Sequence, residues 1–146
     1  MILFKSFLIE QILAGNKKET RRKVKTKEGK IVKPRWKPGS IHWAVHKYYQ
    51  KEPDCKIKIH SVHMECLRDI TPENVKNEGF PDGNVENFIK GYYAIENKIK
   101  LEEKKLDSIL AKISLPGDYN PRVWVIKFEI AKQDKFLPLF DLSQKI

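Results

Sequence analysis

Lys17, Thr20 and Arg22 lie close together in the stretch ILAGNKKETRR, directly after Gly15. A lysine, a hydroxyl and a guanidinium gathered on irregular backbone allow two kinds of chemistry. A lysine desolvated against an apolar wall has a lowered pKa and can act as a base toward a neighbouring threonine hydroxyl, with a nearby carboxylate to orient either group. Without that third group, the simpler chemistry is phosphate binding.

The elements that must position these residues follow from periodicity. Ile2 to Phe4 reads as a short strand, and Phe7, Leu8 and Ile12 fall at helical spacing up to Gly15, a left-handed stop. Residues 17–40 show no sustained period and end in Pro38-Gly39, so a long functional loop is expected, with a hairpin around Glu28-Gly29. Strands are expected over Ile41–Tyr48 and, after the Pro53-Asp54 turn, from Cys55, where Ile57 and Ile59 alternate with lysines. Thr71-Pro72 predicts a helix start and Gly79 its end. A further helix is expected from Asn84, an amphipathic one over 98–113, and a buried closing strand in VWVIKFEI. The stretch 131–146 carries Phe136, Leu137, Leu139 and Phe140, too apolar for water, and is expected to dock on the domain or a partner.

Charge is concentrated along the chain. Of the formal net charge of +10, eleven basic residues against Glu19 and Glu28 place +9 between Lys17 and Lys37. Such a patch attracts polyanions by steering and counterion release, which makes RNA, DNA or a phosphorylated ligand the expected partner class. A solvated block that only aids solubility is the alternative. The binding candidates are Lys17, Lys18, Arg21, Arg22, Lys23, Lys25, Arg35, Trp36 and Lys37. Trp36, Trp43 and Tyr48 are available for base stacking; Trp36, set among lysine and proline, is the best candidate, and Trp43 and Trp124, in strands, read as core more often than as platform.

Several classes drop out. The chain has no Walker A, dinucleotide-binding, zincin or nucleophile-elbow motif, so no cofactor is expected. His42, His46, His60 and His63 lie near Cys55 and Cys66, but no C-x2-C pair exists and strand residues three apart face opposite ways, so no metal is expected. No apolar run reaches membrane-spanning length and no export signal precedes the charged stretch; the expected setting is cytoplasmic, with both thiols reduced. A monomer is the default.

The G-x-K-x-x-T-x-R pattern of Gly15, Lys17, Thr20 and Arg22 resembles the signature of the ASCH family. WKPGSIHWAV, LRDITPENVKNEGF and PRVWVIKFE resemble further family segments in the expected order. The resemblance implies an α+β, PUA-like small β-barrel with flanking helices over residues 1–130, with the basic loop 17–40 and a helical insertion at 98–113. It implies nucleic-acid binding, RNA first, in a basic cleft. Some small family members are amidohydrolases acting on N4-acetylcytidine through a lysine, a threonine and a glutamate. By resemblance those positions are Lys17, Thr20 and Glu78, although Glu78 also reads structurally, beside the glycine that ends a helix. A modified nucleoside is thus the alternative ligand.

Overall fold

The computed structural model describes residues 1–131. The strands are β1 (Ile2–Leu3), β2 (Glu19–Lys23), β3 (Thr26–Lys27), β4 (Lys30–Ile31), β5 (Ile41–Val45), β6 (Cys55–Cys66) and β7 (Arg122–Ile130). The helices are α1 (Ser6–Leu13), α2 (Pro72–Asn77), α3 (Val85–Glu96) and α4 (Leu106–Ala111). Five strands form one mixed sheet in the order β1-β5-β6-β7-β2, and β3 and β4 make a separate two-stranded ribbon. The sheet is a half-barrel flanked by helices, an α+β architecture of PUA-like type.

Two apolar clusters occupy its two sides. Ile2, Phe4, Ile9, Ile12, Ile57, Ile59, Ile126 and Phe128 form one, between α1 and the sheet. Leu67, Ile70, Val75, Ile89, Val123 and Val125 form the other, beneath α2 and α3. Because β7 contributes Ile126 to one cluster and Val125 to the other, it is buried on both faces at its centre, as its continuous apolar run requires. The second helix begins as its sequence dictates: Thr71 accepts from the Asn74 N–H while the Asn74 side chain accepts from the Thr71 N–H, and Pro72 opens the first turn.

Four expectations are corrected. The stretch after Gly15 is not loop throughout: Glu19–Lys23 pairs with β7 at the sheet edge, and only the Glu28-Gly29 hairpin was foreseen. The helix expected over 98–113 contracts to a 3-10 turn at Glu103–Lys105 and α4, and a left-handed φ of 58° at Lys98 separates this segment from α3. Trp43 is not core; it lies on the uncovered outer side of β5, 37% exposed. At His60 a bulge resets the alternation of β6, so the opposite-face reading of His60 and His63 loses its basis; they bond separate carboxylates, Glu129 and Glu65. The apolar stretch 132–146, expected to dock, lies outside the described residues.

Gly79 lets the chain after α2 pack closely against α1 and Lys17. Its φ of +106° suits glycine, and a methyl group there would meet Leu8 Cδ2 at 3.2 Å, Gln11 Cβ at 3.3 Å and Lys17 Cβ at 3.4 Å. Gly79→Ala is therefore expected to lower stability by about 1–3 kcal/mol, read by urea denaturation; an unchanged midpoint would contradict this placement.

Candidate functional site

The site forms where the end of α2 meets β2. Gly15 turns the chain with φ +83°, the Lys17 N–H returns to Gln11 O at 3.0 Å, and the Lys18 N–H reaches Asn77 O at 2.7 Å. The loop is thereby tied to α1 on one side and to α2 on the other, and Lys17 points inward. Its ammonium donates to Glu19 O at 2.8 Å, Glu78 O at 2.9 Å and Glu78 Oε1 at 3.0 Å, which uses all three of its protons. One Nη1 of Arg21 donates both to Glu19 Oε1 at 2.7 Å and to Glu78 Oε2 at 2.9 Å. All four side chains are buried. Glu78 is thus gripped on both oxygens, by Lys17 and by Arg21.

Strand register explains the division of labour. Arg21 and Lys23 sit opposite Val125 and Val123, on the side of α2 and α3; Thr20 lies opposite Ile126, on the side of α1. Arg22 donates to Leu3 O at 3.0 Å and its guanidinium lies 5.1 Å from the centre of the Phe4 ring. Since β1 and β2 are the two edges of the sheet, this bond links them where no strand pairing does. Arg22 has no carboxylate partner among the described residues, and its Nε is buried without a hydrogen bond. The Thr20 hydroxyl makes no hydrogen bond to the described residues.

Burial pulls the Lys17 ammonium below the ordinary lysine range, with Glu78 opposing. Burial acts on Arg21 in the same direction, but Glu78 and Glu19 outweigh it and hold the guanidinium above its ordinary value. Burial lowers Arg22, and only more distant charges oppose it. At the rim, the hydrogen bond from Lys23 holds Glu96 below the usual carboxylate range. Burial raises the Tyr92 phenol above its usual value.

These residues line a cleft of about 830 Å³, a size typical of small-molecule sites. Lys17, Thr20, Arg21, Arg22, Lys23 and Glu78 all border it, so the three residues assigned by resemblance to catalysis share one cavity. Phe7, Phe80, Phe88 and Tyr92 form an aromatic wall, with Phe80 edge-on to both Phe7 and Phe88. The cleft is not strongly basic. Six cations (Lys5, Lys17, Arg21, Arg22, Lys23 and Lys47) face five carboxylates (Glu78, Asp82, Glu96, Glu103 and Asp107). Lys18, Lys25, Arg35, Trp36 and Lys37 lie outside its lining. Trp36 is half-buried against the α1-side cluster, with Arg35 over its ring at 5.6 Å, which removes it as an open stacking platform. Sequence reading missed Glu19, Tyr92, Phe80 and Phe88. Only Glu19 left a signal, an acid two residues from Arg21 on one strand face.

No protein-family model and no curated protein matches the chain. Two solved structures share its fold. The ASCH domain from Lactobacillus crispatus JV V101 superposes with a TM-score of 0.57 at 16% identity, covering 86% of this chain and 70% of that one. A protein from Enterococcus faecalis V583, described as DUF984, superposes with a TM-score of 0.51 at 16% identity, covering 85% and 66%. The fold is that of ASCH domains, in agreement with the resemblance read from Gly15, Lys17, Thr20 and Arg22.

Removing Arg21 leaves Glu19 and half of Glu78 buried without a cation, so Arg21→Met is expected to lose about 3–5 kcal/mol at neutral pH. Urea denaturation at pH 7 tests this; a loss below about 1 kcal/mol would contradict the pairing.

Proposed function

We propose that the domain binds nucleic acid, RNA first, and seats one nucleoside in the cleft. The observation that carries this reading is a cavity large enough for a nucleoside, with an aromatic wall and, in its lining, a Thr20 hydroxyl without a hydrogen bond and an Arg22 without a carboxylate partner among the described residues. An aromatic wall supplies base stacking, worth about 1–3 kcal/mol per base. Thr20 and Arg22 offer hydrogen bonds to the edge of a base or to a sugar. The near balance of charge inside the cleft suits a neutral nucleoside better than a phosphate chain. The basic residues outside the lining, Lys18, Lys25, Arg35 and Lys37, serve the flanking phosphates in this reading, and the ASCH fold is consistent with it.

A second reading, amide hydrolysis of a modified nucleoside such as N4-acetylcytidine, is favoured by the Thr20 hydroxyl, which has no hydrogen bond among the described residues, in the cavity that Lys17 and Glu78 also border. In that reaction the Thr20 oxygen forms a bond to the amide carbonyl carbon and its proton passes to Lys17. The carbon–nitrogen bond then breaks, the proton leaves with the amine, and water hydrolyses the resulting ester to release the acid and restore Thr20. Lys17 must be neutral to begin. Burial lowers its pKa in that direction, and loss of one proton requires giving up one of its three hydrogen bonds. Glu78, held by Arg21, positions the amine.

Thr20→Val separates the two readings, because it keeps the shape and removes the hydroxyl. If the cleft only binds, nucleoside affinity falls about 2–10-fold, the value of one hydrogen bond. If the cleft hydrolyses, deacetylation of N4-acetylcytidine followed by chromatography stops in Thr20→Val and in Lys17→Ala while binding persists in Thr20→Val. Absence of nucleoside binding to the wild-type protein by calorimetry would overturn the cleft reading. RNA affinity that does not fall between about 50 and 200 mM salt would overturn the polyanion part.

A further inference from the structure

The β3–β4 ribbon stands apart from the main sheet, and every residue from Lys25 to Lys33 is exposed. Its turn is of the tight hairpin kind, with Glu28 at φ 53° and Gly29 at φ 77°. Thr26 pairs with Ile31 and Lys27 with Lys30, and the Val32 N–H donates to Lys25 O at 2.9 Å. Strand alternation therefore puts Lys25, Lys27 and Lys30 on one face and Thr26 and Ile31 on the other.

This arrangement works against the ribbon's own stability. A two-stranded hairpin is marginal in water, and Lys27 and Lys30 are directly opposed like charges, which destabilises the pairing further. None of the three lysines has an ion-pair partner among the described residues. The base of the ribbon is nevertheless fixed at both ends. It leaves β2 directly after Lys23, which borders the cleft, and returns to Trp36, packed on the α1-side cluster. Lys27 is four residues beyond Lys23, within about 14 Å along extended chain.

We propose that the ribbon is an arm that contacts the phosphodiester backbone next to the cleft, through the face bearing Lys25, Lys27 and Lys30. The proposal rests on the reading that a nucleoside occupies the cleft, and it names where the neighbouring phosphates lie. A phosphate chain relieves the repulsion between Lys27 and Lys30, and its contacts are independent of base sequence. Lys33, beyond the paired segment, serves as a control.

The test compares wild type, K25Q/K27Q/K30Q and K33Q for binding a single-stranded oligoribonucleotide and the oligodeoxyribonucleotide of the same sequence over a salt series. Three lost phosphate contacts reduce the slope of log affinity against log salt by about 2 for single strands. Thermal denaturation of both variants is expected to match wild type, and K33Q is expected to keep the wild-type slope to within about one contact's worth. A reduced slope on both polymers supports the arm as a general backbone contact; on one polymer only, it supports the arm and identifies that polymer as the source. A slope equal to wild type in the triple variant overturns the arm. Wild type that binds nucleoside but neither polymer also overturns it while leaving the cleft intact. An arm-dependent slope without any nucleoside binding leaves the arm standing and removes the cleft reading.

Discussion

Glu78 holds this structure's working region together, because two cations from elsewhere in the chain converge on its two carboxylate oxygens. Burying these charges carries a desolvation penalty that only close geometry and full hydrogen bonding offset. Lys17 meets that condition by spending every proton; Arg21 bridges Glu19 and Glu78 through one nitrogen, while its buried Nε has no hydrogen-bond partner among the described residues. The consequence is mechanical as well as electrostatic. The last turn of α2 is bolted to the edge strand β2, and the floor of the cleft is set by that joint.

From this constraint follows the unusual character of β2. A strand of sequence ETRRK has no apolar residue to bury, yet its first three residues are buried. Ion pairing within the strand, to Glu19, and to Glu78 at the end of α2 does what apolar packing does elsewhere, and the same strand then spares Arg22 to bridge the two open edges of the half-barrel at Leu3. The cleft inherits a mixed lining in consequence. Three of its six cations, Lys17, Arg21 and Lys23, pair with carboxylates, while Lys25, Lys27 and Lys30 stand on a ribbon outside its lining.

What was legible in the sequence is what local physics determines. The Thr71 cap with Pro72, the glycine stops at Gly15 and Gly79, the turn at Glu28-Gly29 and the apolar run of β7 each carry their signal within a few residues. The family resemblance supplied the trio of Lys17, Thr20 and Glu78, and the structure brings all three to one cavity. Strand β2 was not legible, because the partner that makes its charges tolerable lies 57 residues away from Arg21. Nor was the placement of Trp36 and Trp43: their aromatic character is the same whether a neighbour covers them, and only the fold leaves Trp43 exposed and folds Trp36 inward. Locating the basic block by sequence overestimated the charge inside the cleft, since strand alternation and the Glu28-Gly29 turn carry most of those lysines outward.

The central claim is that a nucleoside sits over the joint made by Lys17, Arg21 and Glu78. Titrating isotope-labelled protein with N4-acetylcytidine and following backbone amide resonances tests it most directly. The account predicts saturable shifts at Lys17, Thr20, Arg22, Glu78 and Tyr92, with the ribbon residues Thr26 to Ile31 unmoved. Shifts confined to the ribbon, or absent from the cleft, would contradict it.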